Sequence, residues 1–310
     1  MAERFDEDSL RAVGVRIDAE HPEGIIFDPH QPQLRVTDLA AVRGDGIFET
    51  MLVKDGHVRK FPAHLERLQR SAKITGIGIP PAESWQAAVA RGLDEFRTRS
   101  GLPEELSIRL TASRGVDGEP ASEDSSFAGT YWVLLTPVPE SVQASRGAAI
   151  SVTLLDRGYD AAAAERAPWL LLGAKTLSYA VNMAALRWAK EHGHDDVIFT
   201  SSDGQVLEGP ISTVLLGSRD GNGQVHLHTP SPEVGILPGT TQATIYRAAE
   251  AAGWTTSAGP VTVAELKQAQ FLWLTGSVKL VSPIAQVDEL EFTTDPEITH
   301  KLLEFLSQEG

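Results

Sequence analysis

A lysine, a glutamate and a pair of threonines are the residues on which this chain could run chemistry. Lys175 stands in LLGAKTLSYAVNMAALRWAKEHG, residues 171 to 193, behind Leu171, Leu172 and Gly173 and ahead of a long apolar pattern. Lysine is rarely buried without a partner, so an ammonium at the edge of an apolar run needs a use. Glu208 follows in DGQVLEG, and ILPGTTQATI, 236 to 245, sets Gly239, Thr240 and Thr241 where a helix should begin. Free backbone N–H groups at a helix N-terminus, with two hydroxyls, make an anion seat suited to phosphate. Each feature has a plainer explanation. The lysine stem could cover apolar area, the carboxylate could sit on a strand edge, and the threonines could simply follow a tight turn. An amine nucleophile, a carboxylate and a phosphate seat in one half of a chain are together more specific. They match the needs of pyridoxal 5'-phosphate: a lysine to form the Schiff base, an acid to hold the pyridine nitrogen protonated, and an anion site.

The elements that must carry these residues can be read from pattern. GIFETMLVKDGHVRKF, 46 to 61, reads as a hairpin turning at Lys54-Asp55-Gly56. PAHLERLQRSAKITG, 62 to 76, reads as a helix, with Pro62 at its first turn and Gly76 as its stop. Residues 81 to 101 form a second helix, because Trp85, Ala88, Val89, Leu93 and Phe96 recur at helical spacing. Residues 106 to 115 and 130 to 139 read as strands, 178 to 192 as a helix, and DVIFTSSDGQVLEG and TVLLGSRDGNGQVHLHTP as hairpins. DAAAAERAP, 160 to 168, reads as a mobile loop. Strands in hairpins with helices grouped apart predict an α+β fold, not a doubly wound sheet. A Pro-, Ser- and Ala-rich stretch near 139 to 147 marks a boundary. It divides a smaller α+β domain, 21 to 140, from a larger one, 148 to 310, that carries the lysine, with 141 to 147 as linker. Residues 1 to about 20 are expected to be a disordered extension, given DEDS and little apolar content.

Composition narrows the partners. The 310 residues are 42% hydrophobic and 22% charged, with a formal net charge of −15. That balance speaks against a nucleic-acid binder, which needs a basic stripe, and against anionic membranes. A local arginine cluster can still take an anionic substrate. There is no cysteine, so thiolate metal sites are out, and the nine histidines show no metal spacing. MAERFDEDSL lacks the apolar core of a signal peptide, and no apolar run reaches membrane-spanning length. A cytoplasmic location is expected.

Motif order adds a resemblance. RGDGIFET (43–50), FPAHLERLQRSAKITGI (61–77), AKTLSYAVN (174–182), GQVLEGPIST (204–213), ILPGTTQATI (236–245) and LTGSVKLVSPI (274–284) resemble the fold-type IV pyridoxal-phosphate enzymes. That family includes branched-chain and D-amino acid aminotransferases and 4-amino-4-deoxychorismate lyases. The likeness covers about Asp38 to Ile284. It implies a two-domain fold with the cofactor in the interdomain cleft, and a homodimer. It makes Lys175 the Schiff-base lysine and Glu208 the partner of the pyridine nitrogen. Arg67, Thr240, Thr241 and Ser277 become ligands of the cofactor phosphate. His64 belongs to the same helix motif and reads as structural; His57 reads as hairpin surface.

Substrate choice rests on finer likenesses. GDGIFET and KTLSY resemble the lyase branch, and ASRGVDG, 112 to 118, resembles a lyase region where an arginine receives a carboxylate. Arg114 is therefore the expected substrate anchor, ahead of Arg109. Arg43, Thr213, Thr240 and Gln242 depart from the usual family residues. The expected activity is release of pyruvate and 4-aminobenzoate from 4-amino-4-deoxychorismate, a small-molecule amine. The alternatives are a branched-chain or D-amino acid aminotransferase of the same fold and a non-catalytic binder of a phosphorylated metabolite.

Overall fold

A computed structural model describes residues 12–118 and 127–308. The chain forms two compact units. One takes the residues up to Glu140 together with Ala174–Ser178; the other takes Ser141–Gly173 and the chain from Tyr179 onward.

In the first unit the elements are β1 (Val13–Ile17), β2 (Ile25–Phe27), α1 (Leu39–Arg43), β3 (Gly46–Lys54), β4 (His57–Val58), α2 (Phe61–Thr75), α3 (Ala82–Ser100), β5 (Glu105–Ser113) and β6 (Thr130–Pro137). The strands make one antiparallel sheet in the order β2-β1-β6-β5-β3-β4. Side chains alternate across it. Ile47, Met51 and Val53, Leu106, Ile108 and Leu110, and Tyr131, Val133 and Leu135 join Leu65, Leu68, Trp85, Val89, Leu93 and Phe96 of α2 and α3 in the core. Phe48, Thr50, Arg109 and Trp132 alternate onto the opposite face. The expected disordered extension is corrected here: Val15 and Ile17 are core residues of a strand paired along its length with β6. Residues 1–11 lie outside the described residues.

Lys175 was expected on the larger C-terminal domain; its segment packs within the first unit instead. The cause is an open strand edge. β4 pairs only with Val53 and Lys54 of β3. Further along that edge, Phe48 N–H donates to the Lys175 carbonyl (2.9 Å), Leu177 N–H donates to the Gly46 carbonyl (2.7 Å), and Thr176 bridges Ile47 in antiparallel fashion. A short extra strand so satisfies backbone groups that would otherwise face water.

In the second unit are α4 (Glu140–Ala144), β7 (Ile150–Asp156), α5 (Ala163–Arg166), α6 (Ala180–Glu191), β8 (Asp196–Thr200), β9 (Thr213–Arg219), β10 (Val225–Pro230), α7 (Thr240–Ala251), β11 (Thr255–Gly259), α8 (Val263–Lys267), β12 (Phe271–Gly276), β13 (Leu280–Val287), β14 (Leu290–Glu291) and α9 (Pro296–Ser307). The sheet runs β11-β10-β9-β12-β13-β7-β8, with β14 on β13. It is mixed: β10–β11, β13–β7 and β7–β8 are parallel. Parallel neighbours need crossovers: α7 supplies the one from β10 to β11 and α6 the one from β7 to β8, while β13 reaches β7 through the chain between them. Leu215, Leu227 and Trp273 pack with Ile245 of α7 and Leu302 and Phe305 of α9. Val214, Leu216, Leu272 and Leu274 alternate into a second cluster. The expected loop 160–168 contains α5, because Ala163 is buried and anchors a helical turn. Among the described residues no helix is long and apolar enough to cross a membrane.

Candidate active site

The candidate residues fall into two sets, one on each unit. On the first unit, three anchors fix the lysine segment: the two backbone bonds to β3 and the Lys175 N–H, which donates to the Ser71 hydroxyl of α2 (3.1 Å). Gly46 permits the docking, since a Cβ there would come within 2.5 Å of Leu177 Cδ1 and 2.8 Å of the Ala112 carbonyl. The Lys175 ammonium lies over the Phe48 ring, 4.6 Å from its centroid. The Arg109 guanidinium lies over the same ring at 3.8 Å. One aromatic side chain thus carries an amine and a planar cation.

The two arginines are held in different ways. Arg114 is committed to the fold. Its Nε and Nη2 donate to Asp45 (2.7 and 3.3 Å), its Nη1 to the Gly76 carbonyl (3.0 Å) and its Nη2 to the Thr75 carbonyl (2.8 Å), which ties off the end of α2. Arg109, held second because strand alternation could turn it away, is turned by that alternation onto the face of Phe48.

Arg67 sits on α2 one turn before Ser71. Its Nε and Nη2 fork onto the two oxygens of Glu49, both at 2.7 Å, and His64 Nδ1 donates to Glu49 at 2.8 Å. Glu49 is fully buried. Burial pushes its carboxyl up, but Arg67 and then His64 outweigh this and hold it at about 2. Burial pulls His64 below its usual value despite the carboxylate, so the ring is neutral near pH 7 and Nδ1 bears the proton. Glu49 and Ser71 were not foreseen. The available signal was Glu49 itself, a carboxylate in register with the core positions Ile47 and Met51 of its strand.

On the second unit, the chain after β8 folds back so that Leu207 N–H donates to the Phe199 carbonyl and Phe199 N–H to the Glu208 carbonyl. The expected hairpin is thus reduced to a short return with one bridge, Thr200 to Val206. It delivers Glu208 beside the segment before α7, where its Oε2 accepts from Leu237 N–H (3.2 Å). α7 starts at Thr240 with Gly239 as N-cap, and no side chain caps it. Thr240 and Thr241 are buried. A Cβ on Gly239 would come within 2.4 Å of Thr213 Oγ1, so this turn approaches β9 as closely as a glycine allows. Thr213 pairs with Thr275 of β12, two residues before Ser277, which lies half-buried in the following turn. Near Glu208, Arg157 stacks on Phe199 at 4.4 Å and donates to Asn182 (3.1 Å). Burial holds the Tyr159 hydroxyl above its usual value, with Arg157 opposing and the Glu208 charge adding. Among the described residues, Arg157 Nη1 and Ser212 Oγ are buried and have no protein partner.

A family model described as amino-transferase class IV matches residues 46–287. The chain belongs to this class IV aminotransferase family. A bifunctional aminodeoxychorismate lyase / D-amino acid transaminase from Mycobacterium tuberculosis is 41% identical over 268 residues, 86% of this chain and 90% of its own length. A fold IV transaminase structure from Curtobacterium pusillum superposes with a TM-score of 0.87 at 39% identity, covering 95% of this chain and 98% of its own. A PLP-bound aminotransferase structure from Mycobacterium tuberculosis gives 0.85 at 38% identity, covering 96% and 98%. Class IV aminotransferases use pyridoxal phosphate, so the chain is a pyridoxal-phosphate-dependent enzyme, a lyase or an aminotransferase. The residues present fit that cofactor. The second unit combines a twelve-residue helix with no side-chain cap and a half-buried carboxylate within reach of its approach segment. Among the described residues it also holds five buried side-chain atoms that no protein group satisfies, Arg157 Nη1 and Ser212 Oγ among them, which is unusual in a folded interior and suits a polar ligand.

Proposed function

We propose that the enzyme converts 4-amino-4-deoxychorismate to pyruvate and 4-aminobenzoate, with transamination of a D-amino acid as a second activity of the same residues. The observation that carries the reading is the shared Phe48 ring, which both the Lys175 amine and the Arg109 guanidinium contact. A substrate with an amine and a carboxylate suits that pair. The name of the 41%-identical relative supports both activities, and an α-ketoglutarate- and PMP-bound form of the Mycobacterium tuberculosis structure favours the second.

In this reading Thr240, Thr241, the α7 N-terminus, Arg67 and Ser277 hold the phosphate of the cofactor, and Glu208 accepts from its pyridine nitrogen. Pyridoxal phosphate, when bound, supplies an electron sink for the carbon that bears the substrate amine. Lys175 Nζ moves the proton at that carbon, first as base and then as acid. Arg109 grips a substrate carboxylate with its planar fork. In the lyase reaction, loss of that proton and departure of the enolpyruvyl oxygen leave an aromatic ring, so the protein's work is positioning and one proton transfer.

The enzyme is proposed to act as a homodimer. Val181, Ala184 and Trp188 form one exposed stripe of α6, with Trp169 and Leu170 exposed on the same unit. Exposed large apolar side chains at helical spacing are the mark of a protein contact.

Purified enzyme given aminodeoxychorismate should release 4-aminobenzoate, and given D-alanine with 2-oxoglutarate should form pyruvate. Lys175→Ala should abolish both and remove the borohydride-trapped adduct at that position. Turnover of amino acids alone would leave transamination as the sole function; turnover of neither substrate would refute the reading.

A further inference from the structure

Arg67 reaches the surface of the first unit with only about 10% of its side chain exposed, and a buried carboxylate governs its orientation. Both Glu49 oxygens are taken: one by Arg67 Nε, the other by Arg67 Nη2 and His64 Nδ1. Two parallel bonds fix the guanidinium plane, and a third bond from a buried ring fixes the carboxylate that fixes it. The four residues are spaced to do this together. His64, Arg67 and Ser71 lie on one face of α2, at i, i+3 and i+7. Ser71 accepts the Lys175 N–H, and Phe48, next to Glu49, donates to the Lys175 carbonyl. A closed ring of hydrogen bonds therefore runs β3, Glu49, Arg67, α2, Ser71, Lys175 and back to β3.

A buried ion pair adds little net stability compared with apolar side chains of the same volume. Here it stands on the sheet face that otherwise carries Ile47, Met51 and Val53 into the core. What it supplies in exchange is direction.

We infer that Glu49 and His64 are positioning residues: they hold the Arg67 guanidinium in the one plane from which it grips the phosphate of the cofactor, and they do so without touching the cofactor. The inference rests on the proposed phosphate contact of Arg67. It gives His64, which reads from sequence as merely structural, a part in cofactor retention.

The test measures cofactor dissociation from the full-length enzyme, by absorbance, for pyridoxal phosphate and for pyridoxal, which lacks the phosphate. Arg67→Ala should weaken pyridoxal phosphate strongly and pyridoxal little. Glu49→Gln should weaken pyridoxal phosphate about tenfold and leave pyridoxal within about twofold, as expected for one misdirected charged contact. The double variant should be no worse than Arg67→Ala. His64→Asn, which keeps a donor near Nδ1, should hold the phosphate form better than His64→Leu. That pair decides the matter if Glu49→Gln does not fold. Equal losses for the two cofactor forms in Glu49→Gln or His64→Leu, or no loss, would overturn the inference. A non-selective Arg67→Ala would instead remove the phosphate contact on which it rests.

Discussion

Lys175 and Arg109 meet through Phe48, whereas Arg114 spends its donors on Asp45 and the last carbonyls of α2. The two arginines should separate cleanly in kinetics. Arg109→Gln should raise KM for a carboxylate-bearing substrate by about ten- to a hundredfold, the worth of a lost charged hydrogen bond. Arg114→Gln should leave KM alone and lower stability by about 1 kcal/mol, as expected of a partly exposed ion pair, read by denaturant midpoint. If Arg114→Gln raised KM and Arg109→Gln did not, Arg114 would be the substrate anchor, as the sequence ranks it. The residue types were legible without a structure; that Arg114 is tied to Asp45 and to the end of α2 was not, because that depends on where residues 45, 75 and 76 fold.

At the scale of elements, the edge of β3 and the face of α2 fix the lysine. Gly46→Ala would force a methyl against Leu177 and the Ala112 carbonyl. It should displace the lysine segment, lowering kcat while costing about 1–3 kcal/mol of stability by overpacking, measured together on one preparation. The same elements set an acid response. Arg67 and His64 hold Glu49 at about 2, well below the usual carboxylate range, and burial holds His64 below its ordinary value. Both folded values are depressed, so both contributions are complete above the unfolded pKa and lost as pH falls. Stability should begin to drop below about pH 6.5 as His64 resists protonation, and drop further between about 4.5 and 2 as Glu49 is protonated. Glu49→Gln should erase the lower part, on the order of 3 kcal/mol, in urea melts taken across that range. A variant whose melts fell as steeply as the parent's below pH 4.5 would show that other carboxylates carry the response.

At the scale of the whole molecule, α6 carries an outward apolar stripe that the described residues leave exposed. Val181→Glu with Trp188→Glu should shift sedimentation from dimer to monomer and leave the far-ultraviolet circular dichroism unchanged, since both side chains already face outward. A variant that remained dimeric would move the interface to another surface.

The sequence by itself determined the local chemistry and the fold class: a lysine ahead of a helix, a glutamate after a strand, threonines at a helix start, and hairpins with helices apart. Those follow from periodicity, turn residues and motif order, which are properties of neighbours in the chain. Tertiary structure decided the rest. It placed residues 174–178 on the first unit because β3 had an unpaired edge, turned Val13–Ile17 into a sheet strand because β6 offered a partner, and made the mixed sheet of the second unit from parallel pairings that need distant crossovers. It also joined Glu49 to His64 and Arg67. Each depends on a contact between residues far apart in sequence, and a hydrogen-bonding edge or a buried carboxylate does not announce its partner until the chain has folded around it.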